Sequence, residues 1–261
     1  MSTDSLTWPV AIVSGSGFHL EALLDRVTRR RSFDETPTLH HRKLHAASTL
    51  GHMGHFVHGV VSARPVILQS GRLHLYEGLD YPSVTATVDA LYALGARTVL
   101  FTNAAGGLLR EMQPGDLLAV RQVRLFGPQR PPGTSSLRVW PAVPNAVAPS
   151  HFVPGCEHEG AYVWTLGPNY ETRAEIAALQ RMGGAAIGMS TAPELVRCNE
   201  LGLQTAVVSC ITNNCCDPQV LTHEHVLESA ARASDKIVAL LHDLLGPPAA
   251  LERNCVAPEH G

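Results

Sequence analysis

Arg72, His74 and Tyr76 stand two residues apart in Ser70-Gly71-Arg72-Leu73-His74-Leu75-Tyr76-Glu77-Gly78. The preceding Pro65-Val66-Ile67-Leu68-Gln69 is rich in apolar and β-branched residues and reads as a strand. If the chain stays extended, the three functional side chains share one face and Leu73 and Leu75 share the other. The leucines suit a core. The opposite face carries a permanent cation, an imidazole and a phenol. A guanidinium offers a planar fork of donors to phosphate or carboxylate, and an imidazole donates or accepts near neutral pH. That combination suits an anion next to a polar ligand; the alternative is a strand with one solvated face.

Other segments carry compatible chemistry. Pro9-Val10-Ala11-Ile12-Val13 reads as a buried strand running into Ser14-Gly15-Ser16-Gly17, and Leu20 to Val27 has helical spacing. Strand, glycine loop and helix together present backbone N–H groups to an anion, with Ser16 offering a hydroxyl or serving as a turn residue. The loop lacks the third glycine of a dinucleotide fingerprint, and no second βαβ unit with a well-placed acid follows. Ser190-Thr191-Ala192-Pro193-Glu194 has capping-box spacing with proline in the first helical turn, a second corner rich in free N–H groups. Thr212-Asn213-Asn214 follows a strand-like run from Thr205 to Ile211. An asparagine amide sets a donor beside an acceptor, which suits the edge of a heterocycle. Glu171 lies where a strand gives way to a helix, either as a site carboxylate or as a charge on the helix dipole.

The elements that must position these groups alternate. A helix is expected from Val84 to Leu94, capped at Gly95, and a strand over Arg97–Thr102 that empties into Asn103-Ala104-Ala105-Gly106-Gly107. Pro114-Gly115-Asp116 turns into a strand over Leu117–Val123. Further strands are expected at Ala161–Thr165 and Ala185–Met189, and helices at Arg173–Met182 and from Thr222 to about Leu245. This is an α/β pattern. Residues 127–160 hold seven prolines and read as a long surface excursion inside one domain spanning 1–261, with a frayed tail at 249–261.

Composition narrows the function. A formal net charge of −3 argues against nucleic-acid binding through a strong positive field. Six cysteines without a C-x-x-C pair suggest neither a disulfide scaffold nor structural zinc. The histidines of His52-Met53-Gly54-His55-Phe56-Val57-His58 have no neighbouring cysteine or carboxylate to complete a ligand set, so a loop entering a strand is expected rather than a metal site. No stretch reaches the length of a membrane span. The opening Met1-Ser2-Thr3-Asp4-Ser5 has no basic region or long apolar run, so a cytoplasmic setting is expected.

Taken in order, Gly15-Ser16-Gly17, Gly71 to Gly78, Thr102 to Gly107, Gly167-Pro168-Asn169-Tyr170-Glu171-Thr172, Gly188-Met189-Ser190-Thr191, Ile211-Thr212-Asn213 and Thr222-His223-Glu224 resemble the trimeric class of purine nucleoside phosphorylases. The resemblance covers most of residues 9–245. It implies one α/β domain with a central mixed, partly barrel-like sheet flanked by helices. The implied reaction is reversible phosphorolysis of a nucleoside to free base and ribose 1-phosphate, with no cofactor or metal beyond the phosphate co-substrate. Carried over by position, Ser16, Arg72, His74, the backbone at Ala104, and Ser190 would hold phosphate, with His52 closing over it. Tyr76, Met189 and His223 would hold the sugar. Tyr170 would stack on the base, while Glu171 and Asn213 read its edge. His52, His74, Glu171 and Asn213 would be the catalytic set, and Glu77 would orient His74. A carboxylate at 171 with an amide at 213 favours 6-oxopurines. A homotrimer is implied, with no nucleic-acid or membrane partner.

The chain departs from the family pattern at several points. The stretch at 127–160 is shorter and richer in proline than the resemblance leads one to expect. Phe126, Trp140 and Phe152 are the candidates there for an aromatic lent to a neighbouring subunit. Asn214 stands where lysine often follows, Tyr170 where phenylalanine is frequent, and His55 where arginine is common. Phe18-His19 is bulkier than usual after the glycine loop. The rival readings are a methylthioadenosine or other nucleoside phosphorylase, a non-catalytic nucleoside-binding relative, and an oxidoreductase built on the glycine loop, which leaves the later motifs unexplained.

Overall fold

Apolar runs in the central strands bury both faces, as expected of a sheet covered on each side. The computed structural model describes residues 8–15, 17–36, 39, 54–125, 146–217 and 223–246. Its strands are β1 (Val10–Val13), β2 (Arg26–Ser32), β3 (His55–Val61), β4 (Arg64–Ser70), β5 (Thr98–Gly107), β6 (Leu117–Leu125), β7 (Ala146–Val147), β8 (His158–Trp164), β9 (Gly184–Gly188) and β10 (Gln204–Asn214). The helices are α1 (Tyr81–Ala93), α2 (Arg173–Arg181), α3 (Ala192–Glu200) and α4 (His223–Leu245).

The strands form one ten-stranded sheet in the order β10-β6-β8-β9-β5-β1-β4-β3-β2, with β7 on β6. β10 also pairs with β5, which closes β10, β6, β8, β9 and β5 into a barrel. The mixed, partly barrel-like sheet implied by the resemblance is present. β1 is parallel to β4 and β5, whereas β6 meets β10 antiparallel and β9 meets β5 antiparallel.

Alternation along the strands divides the core. Ala11, Val13, Ile67, Val99, Phe101 and Val207 join one apolar cluster with α1 and α3. Val10, Ile12, Val66, Leu68, Leu100 and Val208 join another with α4. A third, smaller cluster seats Ile176 and Leu179 of α2 against Val163 and Ile187.

The layout of β5 opens the site. On one side it pairs with β1 over Thr98–Phe101 and then with β9 at Gly106–Gly107. Thr102 to Ala105 lie where those two neighbours part. Strand ends that diverge in this way leave a crevice for ligands.

Several expected boundaries change. β4 ends at Ser70; Gly71 has φ +95° and Leu75–Glu77 is a 3-10 turn, so extended alternation does not order Arg72, His74 and Tyr76. The helix expected over Leu20–Val27 is only a 3-10 turn at Leu20–Leu23, because the following residues pair with β3 as β2. That pairing also makes part of the expected loop before residue 58 a strand. β5 and β10 run longer than expected because Asn103–Gly107 pair with Ser209–Asn214. β8 starts at His158 and β7 lies at 146–147, both within the expected 127–160 excursion. Residues 126–145, with Phe126 and Trp140, and the tail at 249–261 lie outside the described residues.

α1 stops before Gly95 as expected but starts at Tyr81, three residues before the expected Val84. Asp80 accepts a hydrogen bond from Ser83 N, Pro82 sits in the first turn, and Gly95 closes the helix at φ +97°.

Candidate active site

Arg72 is 1% exposed. Its Nη1 donates to Ser190 Oγ at 3.0 Å and Thr191 Oγ1 at 3.1 Å, and its Nε lies 3.3 Å from Glu194 Oε1. The guanidinium also sits over the Phe101 ring at 5.5 Å. Glu194 uses its other oxygen, Oε2, to accept from Thr191 N at 3.1 Å, closing the N-terminus of α3. Thr191 has φ +75°, a conformation that costs a β-branched residue about 1–3 kcal/mol and persists only where neighbours fix it. They do: its hydroxyl accepts from both Arg72 and Asn103 Nδ2, the latter at 3.0 Å. The corner is therefore a buried, interlocked network around one cation.

His74 lies beside it. Its Nδ1 is 2.9 Å from Glu77 Oε1, and a carboxylate only accepts, so Nδ1 carries a proton. The His74 ring stacks on Tyr76 at 4.7 Å and 20°. Gly167 has φ +76°, and a Cβ there would strike Met189 Sδ and come within 3.1 Å of Tyr76 Cδ1. Glycine thus brings Tyr76 and Met189 together. Trp164 Nε1 donates to Met189 O at 3.1 Å and holds that backbone against the end of β8.

The other end is built from neutral groups and one acid. Thr165 N donates to Gly188 O at 2.9 Å, and Thr165 Oγ1 donates to Glu171 Oε1 at 2.8 Å. Burial raises the Glu171 carboxyl above its ordinary value, the Thr165 hydrogen bond opposes that, and the Glu175 charge adds to the rise. Asn213 Nδ2 donates to Cys215 Sγ at 3.4 Å, and Asn213 Oδ1 accepts from Thr212 Oγ1 at 3.2 Å. The Cys215 thiol is pushed up to about 12 by burial and then by Glu171, so it stays protonated at neutral pH. Gly106 makes room for both: a Cβ there would lie 2.5 Å from Cys215 Sγ and 3.4 Å from Asn213 Nδ2. Tyr170 is 45% exposed on the same loop as Glu171.

These contacts, with the chain segments between them, link the two ends. The path runs from Arg72 through Ser190 and Thr191 to Asn103 on β5, and along β5 past the Ala104 backbone to Gly106. From there it passes Asn213, Cys215, Glu171 and Thr165 to Met189, Tyr76 and His74. Arg72, His74, Tyr76, Ala104, Glu171, Met189, Ser190 and Asn213 are brought together around one crevice, with Tyr170 beside it. Ser16, His52 and the His223 side chain lie outside the described residues.

A model of the Phosphorylase superfamily matches residues 9–246. The purine nucleoside phosphorylase of Bos taurus is 34% identical over 253 residues, covering 87% of this chain and 85% of that protein. Purine nucleoside phosphorylase 1 of Geobacillus stearothermophilus is 35% identical over 197 residues, covering 70% and 72%. This chain belongs to the purine nucleoside phosphorylase family. Its members are pentosyl-transferring enzymes, and the chain is one of that class. Among solved structures, Schistosoma mansoni purine nucleoside phosphorylase in complex with adenosine superposes with TM-score 0.70 at 26% identity, covering 94% of this chain and 92% of that one. A schistosoma purine nucleoside phosphorylase in complex with hypoxanthine has the same fold, with TM-score 0.71 at 24% identity over 91% and 90%.

Some contributors were not singled out as site residues in the sequence. Glu194 was visible only as a capping residue, and its partner Arg72 is far away in the chain. Thr165 and Cys215 carried no motif. Asn214 has become structural: its Nδ2 donates to Leu109 O at 3.0 Å and Met112 O at 2.8 Å. His55 pairs with Glu21 at 3.2 Å, and Phe152 packs under Arg121 at 4.0 Å. Among the described residues, no group of three or more His, Cys, Asp or Glu could hold a metal ion, and no helix is long and apolar enough to cross a membrane.

Proposed function

We propose that the protein catalyses reversible phosphorolysis of 6-oxopurine nucleosides such as inosine and guanosine, and their 2′-deoxy forms, to free base and (deoxy)ribose 1-phosphate. The observation that carries this reading is the crevice itself: a buried guanidinium and imidazole at one end, a carboxyl and an amide at the other. Phosphate bound by Arg72, Ser190, His74 and the Ala104 backbone, with Ser16 and His52, is held beneath C1′. A phosphate oxygen attacks C1′ as the C1′–N9 bond breaks, and the electron pair leaves with the purine. Positioning and charge supply the rate. Tyr76, Met189 and His223 hold the sugar, and Tyr170 stacks on the base. Asn213 donates to N7 as negative charge gathers there. Glu171, as a carboxylate, accepts from N1–H and from a 2-amino group. No metal enters this chemistry. The working form in this reading is a cytoplasmic homotrimer.

A second reading keeps the reaction and changes the base. It draws on the adenosine bound by the Schistosoma mansoni relative and on the raised Glu171 carboxyl, which when protonated donates to the N1 of a 6-aminopurine. A nucleoside panel assayed with and without phosphate decides between them. Hypoxanthine release from inosine only when phosphate is present supports the first reading. A preference for adenosine or methylthioadenosine supports the second, and nucleoside binding without turnover of any member of the panel at any phosphate level contradicts both.

A further inference from the structure

The proposed purine end holds Glu171 by a contact that lies outside the proposed chemistry. Among the described residues, Thr165 is the sole side-chain donor to Glu171, at 2.8 Å. Thr165 is itself buried, and its N–H is tied to Gly188 O at 2.9 Å, so its backbone is held beside Glu171. We propose that Thr165 is a positioning residue that fixes Glu171 Oε1 as an acceptor and thereby sets which purine edge the carboxyl reads. This rests on the purine-binding role proposed for Glu171.

The surroundings leave most of that task to Thr165. Glu171 precedes Thr172, the N-cap of α2, whose N-terminus ordinarily favours a carboxylate. Here Glu175 already takes the capping position: Thr172 N and Thr172 Oγ1 both donate to Glu175 Oε2, at 2.7 and 2.8 Å. The Glu175 charge then disfavours a second charge on Glu171. Across the crevice the facing group from the loop after β10 is the Cys215 thiol, neutral at working pH. Burial and the Glu175 charge oppose the ionised form and the neutral Cys215 thiol adds nothing to it, whereas the Thr165 hydroxyl supports it, followed by Glu171's own backbone N–H. A hydroxyl donating to a carboxylate favours its charged, accepting form. Without it, Glu171 takes up a proton at higher pH and becomes a donor, which suits the unprotonated N1 of a 6-aminopurine.

The test compares wild type with Thr165→Val and Thr165→Ser. Hypoxanthine and adenine binding are measured by calorimetry between pH 5.5 and 8.5, and Glu171 is titrated in the free protein through its carboxyl carbon in 13C-glutamate-labelled samples. The Thr165→Val carboxyl should titrate at higher pH. Its hypoxanthine affinity should fall about tenfold at pH 6 but by less than about twofold at pH 8.5, the loss expected of one hydrogen bond to a charged group. Adenine should gain relative to hypoxanthine on the acid side, and Thr165→Ser should follow wild type. An unmoved Glu171 titration, or a loss equal at every pH, overturns the inference. If Thr165→Val does not fold, Thr165→Ala removes the same hydroxyl and is judged by the same results. A wild type that binds no purine, with a Glu171 titration still moved by Thr165→Val, overturns the functional reading and leaves Thr165's hold on Glu171 standing.

Discussion

The two ends of the crevice are built on different physics. At the Arg72 end, two buried charges and a strained threonine form one network, and each member fixes another. At the Glu171 end, the contacts are pairwise, partly exposed and mostly neutral: Thr165 with Glu171, Asn213 with Cys215. A network of buried charges cannot lose a member cheaply, because the survivor stays desolvated and unpaired. A pairwise, half-buried contact can change with little effect on the fold. One end suits an invariant inorganic anion, and the other suits a choice among bases. Stability and anion binding should therefore be inseparable at the first end and separable at the second.

The largest effect expected is at Glu194. Glu194→Ala strands the Arg72 charge in the core and should lower stability by about 3–5 kcal/mol, read by urea or thermal unfolding. Arg72→Lys keeps the charge and loses the fork; kcat/KM for phosphate should fall about a hundredfold or more, with the KM for inosine little changed. Either variant behaving as wild type would break the contrast. Glu171→Gln should leave the unfolding midpoint nearly unchanged while kcat/KM for inosine falls about tenfold to a hundredfold relative to adenosine.

The raised Glu171 carboxyl sharpens the contrast through pH. Because burial raises it in the folded state, that state holds its proton more tightly than the unfolded chain. Its contribution to stability is present below the unfolded value and is lost as pH rises through the raised one. In the proposed reading, recognition of a 6-oxopurine runs the other way and should fade as pH falls through the same window. Opposed trends of melting temperature and inosine kcat/KM on the acid side, both abolished in Glu171→Gln, are the expected result. The smallest effect provides the scale. Arg121→Ala removes an exposed 2.7 Å pair with Glu159, away from both ends, and should cost less than about 1 kcal/mol.

How legible this was depended on how local each cause is. The body and the Gly95 end of α1 could be read because their signals lie in the helix itself or next to it, whereas its start, capped by Asp80, lies three residues before the expected Val84. Residues 20–27 could not, because their apolar spacing was overruled by β3, a strand about thirty residues away. Arg72 and His74 were legible by type. Their arrangement was not, since Gly71 at positive φ ends the strand whose alternation had ordered them. Buried partners left least trace. Glu194 fits its helix as an ordinary capping residue, and Thr165 looks like any β-branched residue at a strand end. Only the folded chain brings each against the group it controls.

The most direct measurement is a crystal structure of the protein grown with inorganic phosphate and hypoxanthine. The account predicts phosphate within hydrogen-bond distance of Arg72, Ser190 and His74, with the purine edge on Glu171 and Asn213. Phosphate bound elsewhere, with Arg72 and His74 turned away from the crevice, would contradict it.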